Sequence, residues 1–187
     1  AYAGNAADFA ETETVVKQIH ADFGSIDILV NNAGISHIGL LTDMSPDQWH
    51  RVMSTNLDAC FYTCKLAVPL MLHRHSGRIL NISSVWGLVG ASCEVAYSAT
   101  KGAINSLTMA LAKELAPSHI AVNAIAFGAV DTTMNGHLSV EEKKTLCEEI
   151  PAEKMAAPEE AAVCISHILA MPDYMTGEIL KFDGGWI

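Results

Sequence analysis

Apolar residues in this chain form two recurring patterns, short continuous runs and longer stretches in which they repeat with a helical period. Short apolar runs rich in β-branched residues are typical of buried strands, and three occur at 26–30, 78–83 and 120–125. A further run at 178–182 predicts a last strand, and residues 1–3 resemble the end of an earlier one. Strands are therefore expected along the whole chain.

Helical stretches fill the intervals between these strands. Asp8 is placed to cap a helix that runs to about Phe23 and ends at Gly24, and Ser45 before Pro46 begins the next. Further helices are predicted at 46–54, 57–74, 95–115, 139–150 and 158–170. Strands alternating with helices predict an α/β fold, a doubly wound parallel sheet with helices on both faces. No linker or repeat divides residues 1–187, so a single domain is expected.

Composition narrows the range of partners. Half of the 187 residues are hydrophobic and 17% are charged, which favours a folded domain with a sizeable core over disorder. The formal net charge is −10 and no basic cluster is present, so binding to nucleic acid or to an anionic membrane surface is not expected. No apolar run approaches the roughly 18–20 residues that a membrane-spanning helix needs.

The five cysteines are odd in number and scattered, which favours reduced thiols over a disulfide framework. Cys60 and Cys64 are four residues apart, but neither a second cysteine pair nor a His-x-x-x-His pattern follows them. No metal site is therefore predicted. No signal peptide is visible, and a cytoplasmic localisation is the expectation.

Polar and small residues follow three of the predicted strands. Asn31–Gly34, Ser83–Ser84 and Ala126–Gly128 each stand at the carboxyl end of a strand. Ligands of open parallel sheets bind beyond those ends. The three segments therefore predict one common site.

Tyr97 and Lys101 add candidate chemistry to that site. Residues four apart lie on the same face of a helix, so the phenol and the amine are expected side by side. A neighbouring cation favours the phenolate, which suits proton exchange with an alcohol or carbonyl oxygen. Ser84 could hydrogen-bond the same oxygen. Tyr-x-x-x-Lys alone is weak evidence, because both residue types are common.

Further motifs accompany this pair along the chain. They are Asn31-Asn32-Ala33-Gly34, Ser54-Thr55-Asn56-Leu57, Ile82-Ser83-Ser84, Tyr97-Ser98-Ala99-Thr100-Lys101-Gly102-Ala103, Val122-Asn123-Ala124-Ile125, Thr176-Gly177-Glu178 and Asp183-Gly184-Gly185. In this order and spacing they resemble the short-chain dehydrogenase/reductase family, over residues 5–187. The resemblance implies a Rossmann-like doubly wound sheet and an oxidoreductase that uses NAD(P).

The resemblance implies a catalytic tetrad of Asn56, Ser84, Tyr97 and Lys101. Tyr97 would donate a proton to the carbonyl oxygen during reduction, and Ser84 would polarise that oxygen. Lys101 would lower the pKa of Tyr97 and bind the nicotinamide ribose, while Asn56 would hold a water of a proton relay. Ser83 is expected to make only a structural hydrogen bond.

The residues implied to contact the cofactor are Asn5, Ala6, Asn31, Ala33, Gly34, Tyr97, Lys101, Gly128, Val130 and Thr132. The first two match the family position at the adenine. Asn31, Ala33 and Gly34 would lie on the adenosine side, and the last three would meet the nicotinamide. The alternative for Asn31-Asn32 is a plain turn.

Two departures from the family pattern stand out. Phe127-Gly128 replaces the usual Pro-Gly, so the loop over the nicotinamide is expected to be less preorganised. No glycine-rich turn for the pyrophosphate precedes Asn5, and the first two strand–helix units are absent. The sequence is therefore expected to be an N-terminally truncated portion of an enzyme, with strand 26–31 exposed as an apolar edge.

Among subfamilies, the motifs most resemble the 3-oxoacyl-acyl carrier protein reductases of fatty acid biosynthesis. This implies reduction of a carrier-bound 3-oxoacyl thioester and favours NADP(H) over NAD(H), although the strand end that decides the cofactor lies outside this sequence. Two alternatives remain open. One is a dehydrogenase of sugars, polyols or steroid alcohols, and the other is an inactive, oligomer-forming fragment.

Two further expectations come from the same resemblance. Residues 131–157 resemble a substrate lid, and its Met134, Leu138 and Met155 suit either an apolar substrate or core packing. The helices 57–74 and 95–115 resemble those that pair in the family, so a homodimer or homotetramer is expected.

Overall fold

A parallel four-stranded sheet forms the centre of the computed structural model, which describes residues 1–136 and 138–187. The strands are β1 (Ile28–Asn31), β2 (Gly77–Ser84), β3 (Ile120–Phe127) and β4 (Ile179–Phe182). Their order in the sheet is their order in the chain, and every neighbouring pair is parallel. The predicted α/β, Rossmann-like fold is confirmed.

Helices connect the strands. They are α1 (Phe9–Phe23), α2 (Pro46–Met53), α3 (Ala59–Arg74), α4 (Trp86–Val89), α5 (Val95–Leu115), α6 (Val140–Glu149) and α7 (Pro158–Ala170). The predicted caps are present: the Asp8 side chain accepts from the Glu11 amide, and Gly24 ends α1 in a left-handed conformation at φ 75°. Ser45 and Gln48 form a capping box at α2.

The main core lies between one face of the sheet and the helices α3 and α5. Its members share near-complete burial and come from α3 (Cys60, Cys64, Ala67, Met71), β2 and β3 (Ile79, Ile120, Val122) and α5 (Ala112, Leu115). Side chains alternate between the two faces of a strand, and Leu80 and Ala121 point to the other face, where α7 lies. Helices therefore cover both faces.

The structure differs from the sequence-based expectations at residues 1–3, at the start of β1 and at α4. Residues 1–3 are not in a strand, because a strand needs a hydrogen-bonded neighbour and they pair with none of β1 to β4. The strand expected from residue 26 begins at Ile28, and it is not buried as its apolar run suggests but forms the exposed apolar edge that the family's strand order predicts, with Ile28 50% exposed. The short helix α4 was not predicted, since four residues show no periodicity.

Helices α2 and α3 are joined without a loop by a π-helical segment, Ser54–Asp58. The sequence predicts two separate helices there. Segments of this kind widen a helix by one residue and are frequent at functional sites. Asn56 lies in its middle and is 1% exposed.

In the part of the chain described, no helix combines the length and apolar character needed to cross a membrane.

Candidate active site

The structure brings Asn56, Ser84, Tyr97 and Lys101 together at the carboxyl ends of β1 to β3. Ser84 is the last residue of β2, and Tyr97 and Lys101 lie in the first two turns of α5. All four are buried. The close approach of strand ends and helix starts makes this the expected place for a ligand in a parallel sheet.

Lys101 is 3% exposed, and its Nζ donates a hydrogen bond of 2.7 Å to the Ile82 carbonyl. The same nitrogen lies 5.4 Å from the centre of the Tyr97 ring. Burial lowers the pKa of Lys101 to about 8, because the charged form loses its hydration. The amine is therefore protonated at neutral pH, but it loses its proton about one pH unit above neutrality rather than near pH 10.5.

Burial, rather than the neighbouring lysine, sets the direction of the Tyr97 pKa. Burial raises the Tyr97 pKa to about 12, the Ser84 hydroxyl acts in the opposite direction, and the Glu94 carboxylate raises it further. The amine does not reverse this, since it is directed at the Ile82 carbonyl. At neutral pH the phenol keeps its proton, which is the state that a proton donor needs.

Both polar atoms of the Asn56 side chain form hydrogen bonds within the protein. Its Oδ1 accepts from the Ile35 amide at 2.8 Å, and its Nδ2 donates to the Ile35 carbonyl at 2.9 Å and to Thr100 Oγ1 at 3.1 Å. Thr100 lies beside Lys101 on α5. Asn56 therefore ties the loop after β1 to the helix that carries Tyr97 and Lys101.

Gly34 borders a small space in front of the buried amine. A methyl group at this residue would lie 3.5 Å from Asn56 Oδ1 and 3.6 Å from Lys101 Nζ. The space is therefore flanked by an amide oxygen and an amine, which are complementary to a hydroxyl group. Ala33 lies next to it and is exposed.

The Asn31 side chain points to the face of the sheet that α3 covers. Its Nδ2 donates to Asn81 Oδ1 at 2.8 Å and lies 3.4 Å from Cys64 Sγ, and its Oδ1 accepts from Thr63 at 2.6 Å. Asn81 Nδ2 in turn donates to Thr108 Oγ1 at 2.8 Å. This network uses every polar atom of the Asn31 amide, so contact with a ligand would fall to its backbone.

The loop after β3 is fixed by backbone contacts. Gly128 donates to the Phe182 carbonyl at 3.0 Å, and a methyl group at Gly128 would come within 2.9 Å of Asp183 Cα. Val130 forms a bridge with Ala156, and Thr132 is exposed. Phe127, in place of the family's proline, packs its ring edge-on against Phe182 at 5.6 Å between ring centres.

Asn5 and Ala6, which the resemblance places at the adenine, and Trp86, near the end of β2, lie outside the tetrad. Asn5 and Ala6 lie in the turn before α1, where Asn5 Oδ1 accepts from the Ala7 amide and the Ala6 carbonyl accepts from Thr12. These bonds are local. Trp86 lies two residues after the end of β2 and packs against Trp186, with ring centres 4.8 Å apart.

Sequence reasoning missed Asn105 as a residue of this neighbourhood and assigned Ser83 only a structural bond. Ser83 Oγ donates to Asn105 Oδ1 at 2.6 Å, directly behind Lys101. The available signal was spacing: Asn105 lies four residues after Lys101, on the same face of α5.

The chain belongs to the short chain dehydrogenase family, whose model matches residues 1–143. It is an enzyme of the NAD(P)-dependent short-chain dehydrogenase/reductase type.

Comparison with individual proteins agrees with this class. The uncharacterized oxidoreductase YmfI of Bacillus subtilis is 40% identical over 181 residues, which cover 96% of this chain and 75% of that protein. A 3-oxoacyl-[acyl-carrier-protein] reductase of Thermotoga maritima is 35% identical over 187 residues, 100% of this chain and 76% of the reductase.

Among solved structures, a gluconate 5-dehydrogenase from Burkholderia cenocepacia in complex with NADP and tartrate matches with a TM-score of 0.91 and 33% identity. The match covers 97% of this chain and 72% of the dehydrogenase.

Proposed function

We propose that this protein reduces a carbonyl group to an alcohol with NADPH, and that its substrate is a 3-oxoacyl thioester carried on acyl carrier protein. The observation that carries the proposal is the buried group of Tyr97, Ser84 and Lys101 at the carboxyl ends of the strands. The similarity to 3-oxoacyl-[acyl-carrier-protein] reductases supports the choice of substrate.

Each member of the tetrad has a role in this proposal. Tyr97, whose pKa burial raises to about 12, donates its proton to the carbonyl oxygen. Ser84 hydrogen-bonds the same oxygen and so stabilises the charge that develops on it. Lys101 and Asn56 border the space at Gly34, where a ribose hydroxyl could bind between the amine and the amide oxygen.

The residues present fit a ribose hydroxyl of the cofactor, and they place Gly34, which the resemblance assigns to the adenosine side, beside the amine that it assigns to the nicotinamide ribose. The space at Gly34 would be filled by any Cβ, and the buried amine beside it is a donor for a sugar hydroxyl. The dinucleotide supplies a hydride when bound. Ala33, Gly128, Val130 and Thr132 are proposed to line its path, together with the backbone of Asn31.

Asn5 and Ala6 are proposed to contact the adenine, as the family position implies. NADP(H) is favoured over NAD(H) because the matching dehydrogenase structure contains NADP. The segment 131–157 is proposed to cover the substrate. The C-terminal part of this segment is held by a hydrogen bond from the Ala152 amide to the Gly184 carbonyl at 3.1 Å. At its beginning, Asp131 forms an ion pair with Lys143 at 2.8 Å. His137 of this segment lies outside the described residues.

A second candidate is the oxidation or reduction of a sugar acid or polyol. The observation that favours it is the gluconate 5-dehydrogenase, which matches 97% of the chain with a TM-score of 0.91. The tetrad serves both reactions equally, because each involves one proton and one hydride at a carbon bearing oxygen. The two candidates differ only in the substrate pocket.

The proposal includes assembly into a homodimer or homotetramer through α3 and α5. A groove between these helices is lined mainly by apolar side chains, among them Phe61, Val68, Leu107 and Leu111. Phe61 is 48% exposed in a single chain, so covering the groove would remove apolar surface from water.

A direct test compares substrates with the intact protein and with a Tyr97→Phe variant. Oxidation of NADPH is followed by absorbance with an acetoacetyl thioester and with 5-ketogluconate. We expect turnover with the thioester and a loss of about 100-fold or more in the variant, because phenylalanine cannot donate a proton. Binding of NADPH, followed by its fluorescence, should weaken far less than turnover, because Lys101 and the other residues implied to contact the cofactor remain.

Turnover with 5-ketogluconate alone would favour the second candidate. Undiminished turnover in Tyr97→Phe would contradict the proton-donor role. A folded protein that neither binds NADPH nor turns over any substrate, but assembles, would be the inactive oligomer that the sequence leaves open.

A further inference from the structure

Lys101 is attached to β2 at both of its ends, through two consecutive strand residues. Its Nζ donates to the Ile82 carbonyl at 2.7 Å, and its own carbonyl oxygen lies 3.3 Å from Ser83 Oγ. A lysine side chain has a flexible four-carbon stem, so its amine has no fixed place unless both ends are held. The backbone contact is the longer of the two, because the single proton of the Ser83 hydroxyl is donated mainly to Asn105 Oδ1, at 2.6 Å.

Asn105 completes the backbone attachment. It lies one helical turn after Lys101, accepts from Ser83 Oγ at 2.6 Å and donates through Nδ2 to the Gly87 carbonyl at 3.1 Å. Ser83 is 2% exposed and Asn105 is 5% exposed, so water cannot replace either partner. One amide side chain thus joins β2, α4 and α5.

Helix α4 is in backbone contact with α5 at this point. A methyl group at Gly87 would lie 2.6 Å from the carbonyl carbon of Lys101 and 2.8 Å from its Cβ. No side chain separates the two helices there. Any movement of the Gly87 carbonyl, which Asn105 holds, is therefore passed directly to the Lys101 backbone.

We propose that Ser83 and Asn105 are positioning residues of the reaction, which hold the Lys101 backbone against β2 so that its amine and the Tyr97 phenol stay in place. This inference rests on the proposed carbonyl reduction. Neither side chain is placed to touch the substrate, and both act through Lys101. Their bond lies on the protein side of the lysine, away from the space at Gly34.

A second buried pair provides a matched control. Asn81 Nδ2 donates to Thr108 Oγ1 at 2.8 Å, and this bond also joins β2 to α5. Both residues are fully buried, at 0% exposed. Their bond contacts neither Lys101 nor Gly87. Loss of the Asn81–Thr108 bond should therefore cost stability in the same way as loss of the Ser83–Asn105 bond, without moving the amine.

The experiment compares Asn105→Leu and Ser83→Ala with Thr108→Val in the intact protein. We expect each variant to unfold at a lower denaturant concentration. Only the first two should lower kcat for carbonyl reduction, by about 10-fold to 100-fold, with KM little changed, because a misplaced group acts mainly in the transition state. Ser83→Thr, which keeps the hydroxyl, should retain most of the kcat that Ser83→Ala loses.

A readout independent of activity is the pH titration of the Lys101 ¹³Cε resonance in protein with labelled lysine. Its midpoint should rise from about 8 towards the ordinary 10.5 in Asn105→Leu, because a released amine reaches water, and stay in place in Thr108→Val. If Asn105→Leu and Ser83→Ala keep both kcat and this midpoint, the pair is structural only. If the unaltered protein reduces no carbonyl, the proposed function fails, and the titration still decides the positioning role.

Discussion

Burial shifts the pKa values of Tyr97 and Lys101 in opposite directions from their ordinary values. Burial raises the pKa of the phenol to about 12 and lowers that of the amine to about 8, since each neutral form tolerates the loss of water better than the charged form. At neutral pH this leaves a protonated phenol beside a charged amine. That combination suits the donation of a proton to a carbonyl oxygen.

The lysine should make stability depend on pH. Between pH 8 and 10.5 the folded protein has lost the Lys101 proton that the unfolded chain still binds, so a rise in pH favours folding. From pH 8 to 10, the free energy of unfolding should rise by about 2 kcal/mol relative to a Lys101→Met variant, at about 1.4 kcal/mol for each pKa unit. Denaturant unfolding at several pH values measures this.

The range stops at pH 10 because Tyr97 acts in the opposite sense above it. There the unfolded chain loses the phenol proton and the folded protein retains it up to about 12, so stability falls with pH. Parallel pH profiles for the protein and Lys101→Met would show that the amine is not buried in solution.

At the level of elements, the π-helical segment Ser54–Asp58 presents Asn56 to the loop after β1. The amide of Asn56 matches both polar groups of the Ile35 backbone, as a paired strand would. It thereby gives a segment without secondary structure a fixed position next to Lys101. Gly34, which borders the proposed cofactor space, directly precedes Ile35 and is therefore positioned by the same two bonds.

An Asn56→Ala variant should show how much this attachment contributes. It removes three hydrogen bonds and leaves both half-buried polar groups of the Ile35 backbone without this partner, while Thr100 keeps its bond to the Tyr97 carbonyl, so we expect a loss of about 2–4 kcal/mol in unfolding free energy. Hydrogen exchange of the Ile35 amide should accelerate. Thr55→Ala, in the same segment, controls for the helix itself. Unchanged exchange at Ile35 would show that the loop is held by other contacts.

The elements themselves were largely predictable, because α1, α2 and α5 have their caps or periods within a few residues of sequence. Helix α5 begins and ends at the predicted residues, Val95 and Leu115. The π-helical segment was not, since widening by one residue leaves the apolar pattern almost unchanged. The exposed edge at β1 was predictable only from the family's strand order, because an apolar run by itself does not reveal whether a strand lies inside a sheet or at its edge.

For the whole molecule, the apolar groove between α3 and α5 is the surface on which the proposed assembly depends. Phe61 protrudes from it, 48% exposed and 5.9 Å from Lys65 Nζ. A Phe61→Glu variant should favour the monomer, because a carboxylate would have to be buried in the interface. Sedimentation velocity measures the change.

Tyr174→Glu is the matched control, since Tyr174 is 96% exposed and lies outside this groove. Its mass in solution should equal that of the unaltered protein. An unaltered protein that sediments as a monomer at all concentrations would refute the assembly.

The site as a whole was predictable as a set of residues but not as a set of interactions. The motifs identified the tetrad by order and spacing, and the structure brings its members together. The partners of Asn31, by contrast, include Asn81, fifty positions away, and nothing near Asn31 in sequence announces them. Spacing places Asn105 on the same face of α5 as Lys101, but its bond to Ser83, twenty-two positions away, depends on how β2 and α5 pack.

The contact between Trp86 and Trp186 should also give the protein a circular dichroism signal that reports on their relative position. Two indoles whose ring centres are 4.8 Å apart and tilted by 60° share their excited states, which produces a paired positive and negative band in circular dichroism. One indole follows the end of β2 and the other belongs to the C-terminal segment after β4. A rearrangement between these two ends would change the band pair without any label.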